Sequence, residues 1–124
     1  MKKILIVDDR LEVRRLVEIT LSVENYRIIQ AESGQEAINI VKAEKPDLII
    51  MDIAMPGEID GLEATRILKN DPETKGCFII LLTAKGQEND KKRGFTAGAD
   101  DYFVKPFSPL ELIQKVEEAL GIAE

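Results

Sequence analysis

Histidine is absent from all 124 residues. Its absence removes the usual general base, the phosphate-carrying imidazole and most zinc sites, leaving oxygen and ammonium groups for any chemistry. One cysteine is present, Cys77, so no internal disulfide can form. At the head of an apolar run it reads as a small buried hydrophobe, in keeping with a reducing cytoplasm. No apolar stretch approaches transmembrane length. Met1-Lys2-Lys3 before Ile4-Leu5-Ile6-Val7 begins like a secretory leader, but acids follow at once and no cleavage site appears. Basic charge is scarce, with 17 Lys and Arg against 23 Asp and Glu and a net charge of −6. That balance disfavours a direct grip on nucleic acid or on an anionic membrane. No phosphate-cradling Gly-x4-Gly-Lys-Ser/Thr loop, internal repeat, low-complexity tract or linker is found.

What is present suits one globular domain. Apolar residues make up 44% and charged residues 32%, enough to bury a core without disulfides or structural metal. A single domain over residues 1–124 is expected. Because the chain stops after a last helix at Gly121-Ile122-Ala123-Glu124, no attached output domain is expected.

The uninterrupted runs Ile4–Val7, Leu48–Met51 and Phe78–Leu82 suit strands covered on both faces, since half-exposed strands alternate apolar with polar residues. Tyr26–Ala31 and Tyr102–Val104 read as two more strands. Arg10 to about Glu24 carries a helical stripe of Leu11, Leu16, Val17, Thr20, Leu21 and Val23. Ser33, with Glu36 three residues on, signals a capped helix facing Ala37, Ile38, Ile40 and Val41 inward and stopped by Pro46. Asp60 caps a third helix with Leu62, Thr65, Ile67 and Leu68. A polar helix with a thin apolar stripe spans Gln87–Ala97 and ends at Gly98. Ser108-Pro109 opens a last one with Leu110, Leu112, Ile113, Val116 and Leu120. Five strands alternating with five helices predict a doubly wound α/β domain with a parallel sheet.

In such a sheet all carboxyl ends leave along one edge, where ligands gather. That edge would carry Asp8, Asp9, Asp52, Thr83 and Lys105. A lone Asp after a strand is commonly a turn former; three carboxylates, a hydroxyl and a lysine arriving together are not explained by turns. Two carboxylates about 4 Å apart repel by roughly 4 kcal/mol at an effective dielectric near 20, so a cation is called for. Hard oxygen donors without His or clustered Cys favour Mg2+ or Mn2+. Lys105 suits an oxygen of a phosphoryl group, Thr83 another, and Asp52 is the natural nucleophile because carboxylates form acyl phosphates.

These stretches, together with Pro46-Asp47 before Leu48, Met55-Pro56, Leu82-Thr83-Ala84, and Gly98-Ala99-Asp100-Asp101-Tyr102 running into Lys105-Pro106-Phe107, resemble the response-regulator receiver domain of two-component signalling over essentially the whole chain. The resemblance implies a flavodoxin-like (βα)5 fold with strand order 2-1-3-4-5. It implies that Asp52 is the phosphoacceptor, served by a partner histidine kinase or phosphotransfer protein. Asp9, Asp52 and the Ala54 backbone carbonyl would hold Mg2+ directly, with Asp8 acting through water. Lys105 would contact the phosphate, and Lys105-Pro106 would be cis. Thr83 and Tyr102 would form a switch pair reshaping the face of the fourth helix, fifth strand and fifth helix for a downstream protein target. Ala54 and Lys85 would tune phosphate lifetime. The first helix, with Leu11 and Arg14, would dock the kinase. Without the motif, Tyr102 reads as an ordinary strand aromatic, and Lys91-Lys92-Arg93 as a solvated helix face. Gly57-Glu58-Ile59 before Asp60-Gly61 is one residue longer than relatives commonly have, which leaves the loop's path open.

Two other classes use similar architecture. A magnesium-dependent phosphatase acting through an aspartyl phosphate would pattern its acids Asp-x-Asp-x-Thr, which neither Asp8-Asp9-Arg10-Leu11 nor Asp52-Ile53-Ala54-Met55 follows. A flavodoxin needs a Ser/Thr-rich phosphate loop where Asp8-Asp9 would repel phosphate. The expectation is a cytoplasmic signalling switch that phosphorylates and dephosphorylates itself and turns over no metabolite.

Overall fold

All three long apolar runs become strands in the computed structural model, which describes residues 1–84 and 87–121. Lys85 and the closing Ile122-Ala123-Glu124 lie outside the described residues. The elements alternate as β1 (Lys3–Val7), α1 (Leu11–Leu21), β2 (Arg27–Ala31), α2 (Gly34–Glu44), β3 (Leu48–Asp52), α3 (Gly61–Lys69), β4 (Phe78–Ala84), α4 (Glu88–Ala97), β5 (Asp101–Lys105) and α5 (Pro109–Leu120). Every strand pair is parallel and the order is β2-β1-β3-β4-β5. The expected doubly wound, flavodoxin-like sheet is therefore present.

Successive residues of a strand face opposite sides, so the buried strands feed two cores. Leu5, Val7, Ile49, Met51, Ile79 and Leu81 pack beneath α2 and α3 with Ala37, Val41, Ala64 and Leu68. Ile4, Ile6, Leu48, Ile50, Ile80 and Leu82 pack on the other side with Val17, Leu21, Leu112 and Val116 of α1 and α5. Every residue of β3 is buried. The flanking β2 and β5 are only partly covered. Register aligns Val7 with Met51, Asp52 with Leu82, and Ala84 with Lys105, so the polar strand ends finish on one edge.

Local chemistry sets the helix starts. Ser33 Oγ accepts from the Glu36 amide at 3.1 Å, and Asp60 Oδ1 from the Glu63 amide at 2.9 Å. The Glu36 carboxylate reaches back to the Glu32 amide at 2.9 Å rather than to that of Ser33. Ser108 Oγ accepts from the Glu111 amide, with Pro109 in the first turn.

The inward face of α1 differs from the expected stripe. Leu11, Leu16 and Val23 are 44%, 51% and 64% exposed, whereas Arg14, Val17, Thr20 and Leu21 are buried. Spacings of three and four residues from Arg14 to Leu21 define the stripe that meets the sheet; Leu11, Leu16 and Val23 only broaden the apolar pattern. Arg14 is thus no surface docking residue. On α5, Leu110 is likewise exposed, in the first turn ahead of the buried Leu112 and Val116.

The loop after β3 folds back onto the N-terminus of α2, where Ile59 meets Gly34. Gly57 adopts φ +104°, and Ile59 packs on the core beside Met55. A Cβ on Gly61 would lie 2.1 Å from the Asp52 carbonyl oxygen. Only glycine permits that approach without moving backbone. Gly61→Ala is expected to lower stability by about 2 kcal/mol, the usual scale of overpacking, with urea unfolding as the measurement.

Candidate functional site

Asp8 follows directly on β1, and its amide still donates to the Ala31 carbonyl at 3.1 Å. Asp52 is the last residue of β3, and the next amide, that of Ile53, donates to Leu82 at 3.0 Å. Sheet pairing therefore carries both carboxylates to the edge on rigid backbone. Asp8 is fully buried, Asp52 is 4% exposed, and Asp9 lies in solvent. One carboxylate oxygen from each of the three lies within 4.8 Å of the others. Lys105 reaches across from the end of β5, with Nζ 3.3 Å from Asp52 Oδ1 and 3.8 Å from Asp8 Oδ2. The Ala54 amide donates to Asp52 Oδ1 at 3.4 Å. The Lys105–Pro106 peptide is cis.

Two contributors escaped the sequence reading. Arg10 donates its amide to Asp8 Oδ1 at 2.9 Å and brings Nε to 3.6 Å from the same oxygen. Asp90, from the first turn of α4, joins Asp9, Asp52, Ala54 and Lys105 in lining an open cavity of about 300 Å³. A residue 38 positions from Asp52 on a polar helix gives no motif; only tertiary packing brings it there.

Electrostatics favour an added cation. Burial pushes the Asp52 carboxyl above its ordinary value and Asp8 adds to the rise, against the lowering effect of Lys105 and the Ala54 amide. One lysine thus does not offset the crowding. Asp8 Oδ2 is buried with no hydrogen-bond partner. Such an oxygen is costly unless a cation or water uses it. An all-oxygen set of three clustered carboxylates fits a hard divalent ion such as Mg2+.

Thr83 is 1% exposed, and its hydroxyl has no hydrogen-bond partner. A narrow crevice bordered by Gly94 and Phe95 runs from Thr83 to Tyr102. The half-buried Tyr102 ring meets Phe95 edge-on at 5.7 Å and lies under Lys91 Nζ at 4.6 Å. Asp9, Asp52, Ala54 and Lys105 are brought together at one cavity, with the buried Asp8 clustered against Asp9 and Asp52; Thr83 and Tyr102 share a crevice of their own.

Fold and site define a class: a doubly wound α/β domain with an acidic cluster at the carboxyl ends of its parallel strands. The chain belongs to the response regulator receiver domain family, which its residues 4–117 match. Among relatives, it is 44% identical over 119 residues to the phosphate regulon transcriptional regulatory protein PhoB of Pseudomonas aeruginosa, covering 96% of this chain and 52% of that one. It is 48% identical over 118 residues to the transcriptional regulatory protein ResD of Bacillus subtilis, covering 95% and 48%. The chain thus spans about half the length of the curated relatives it matches. The chemotaxis response regulator CheY4 of Vibrio cholerae superposes with a TM-score of 0.88 at 32% identity, covering 97% of this chain and 99% of that one. Receiver domains are signalling switches of two-component systems, operated by phosphorylation, and bind Mg2+ at an acidic pocket. The family match leaves the phosphatase and flavodoxin readings without support.

Proposed function

We propose that Asp52 accepts a phosphoryl group from a phosphohistidine on a partner histidine kinase or phosphotransfer protein, and that this sets the state of the Thr83–Tyr102 face. The observation that carries the reading is the Asp52 carboxylate itself. It is buried at the end of the central strand, 3.3 Å from Lys105 Nζ and clustered with two further carboxylates. With no histidine in the chain, the donor imidazole comes from the partner. An Asp52 oxygen attacks phosphorus, the P–N bond breaks, its electron pair returns to the imidazole, which ends protonated, and an acyl phosphate stands on Asp52.

Asp9, Asp52 and the Ala54 backbone carbonyl would hold Mg2+, or Mn2+, with Asp8 acting through water. When bound, the ion neutralises charge on the transferring oxygens. Lys105 turns from Asp52 to a phosphoryl oxygen, and the unpartnered Thr83 hydroxyl donates to another. Withdrawal of Thr83 toward the phosphoryl group opens the crevice to the Tyr102 ring, altering the face of α4, β5 and α5 on which a downstream protein docks. The same groups support slow self-dephosphorylation, with no metabolite turned over. The acidic charge disfavours direct nucleic-acid contact by this domain. No helix among the described residues is long and apolar enough to cross a membrane; the proposed location is the cytoplasm.

With Mg2+ and acetyl phosphate, the intact mass should rise by one phosphoryl group, and a chelator should prevent it. A chain that stays unmodified with both present contradicts the proposal. Lys105→Ala should bind Mg2+ yet lose the beryllium fluoride response of the Thr83 and Tyr102 amides in NMR spectra, so a wild-type response would remove Lys105 from its role.

A further inference from the structure

Arg14 is the only buried basic side chain among the described residues, at 9% exposure on the inner face of α1. A buried guanidinium is costly unless its donors are used. Nη1 donates to the Asp8 carbonyl oxygen at 2.7 Å, Nε donates to Gln30 Oε1 at 3.0 Å, and Nη2 lies 4.0 Å from the Glu32 carboxylate. Gln30 is held in turn by donation from its amide to Glu18 of α1. The Asp8 carbonyl has run past its sheet partner, because β2 ends at Ala31, which takes the Asp8 amide. The guanidinium supplies the donor that the ladder no longer offers. That carbonyl belongs to the peptide joining Asp8 to Asp9.

We infer that Arg14 is a positioning residue for the cation site: by holding the Asp8–Asp9 peptide plane it aims both carboxylates at the metal. The inference rests on reading the acidic cluster as a metal site. Two roles for Arg14 predict opposite signs. A bystander cation repels Mg2+, so its removal would tighten binding. A positioning residue aligns the acids, so its removal weakens binding, by about tenfold on the usual scale for groups that support metal ligands.

The test is a Mg2+ titration of the wild-type chain, Arg14→Met and Arg14→Lys, followed through the amide NMR signals of Asp9 and Ala54, with dispersed spectra establishing the fold. Arg14→Met keeps the apolar stem and is expected to raise the Mg2+ Kd about tenfold. Should Arg14→Met fail to fold, Arg14→Lys decides the matter. It keeps the charge but cannot hold Asp8 and Gln30 in one planar fork, and its Kd should rise severalfold. Unchanged or tighter Mg2+ binding in a folded variant overturns the inference while leaving the proposed function standing. A wild-type chain that takes up no Mg2+ overturns both.

Discussion

Asp52→Asn should gain no phosphoryl mass under conditions that modify the wild-type chain fully, and it should melt higher in the absence of divalent metal. The first effect is all-or-none, because an amide cannot form the acyl phosphate. The second follows from the same site. The Asp52 carboxyl sits above its ordinary value, chiefly through burial and then through Asp8. An acid raised in the folded state favours folding when protonated, and that contribution is lost as pH rises through the folded value. At pH 7 the wild-type fold therefore carries a disfavoured charge, which asparagine removes. The expected gain is roughly 2–5 °C in Tm, about what 1 kcal/mol gives in a chain of this size. It should shrink as the pH falls toward the ordinary carboxylate range near ~3.9. Calorimetry between pH 4 and 8 is the check; a variant less stable than wild type at pH 7 would contradict the electrostatic account.

Asp9→Ala should lose most Mg2+ affinity, with a Kd raised at least about tenfold, while its apo form melts close to wild type. Asp9 is the exposed member of the cluster, so its removal leaves no buried partner stranded. A ligand that binds only the folded state stabilises by RT ln(1 + [L]/Kd), about 2.7 kcal/mol at a hundredfold excess over Kd. Wild type should show that Mg2+-dependent rise in Tm, and Asp9→Ala should show little of it at the same concentration. An equal rise in both would remove Asp9 from the ligand set.

Much of this architecture is legible because parallel strands advertise themselves. Ile4–Val7 and Leu48–Met51 lack polar alternation since helices cover both faces of β1 and β3. Each run stops on a carboxylate at a strand end, so topology alone carries Asp8, Asp9 and Asp52 to one edge. The caps at Ser33, Asp60 and Ser108 are local and were readable for that reason.

What escaped the reading depends on contacts distant in sequence. Arg14 looks like a surface base until Gln30 and the end of β2 are placed beside it. Leu11, Leu16 and Val23 read as core but face solvent, because a broad apolar arc does not reveal which part meets the sheet. Asp90 reaches the cavity through the packing of α4, with no sequence signal. The path of the loop after β3 follows from the close approaches of Gly34 to Ile59 and of Gly61 to Asp52, and such approaches have no periodicity.

The central claim is that one carboxylate of the three becomes an acyl phosphate. Borohydride reduces an aspartyl phosphate to homoserine, and peptide mass mapping locates the product. After treatment with acetyl phosphate and Mg2+, homoserine should appear at position 52 and at neither 8 nor 9. Homoserine at position 8 or 9, or none in a chain that has gained the phosphoryl mass, would contradict the account.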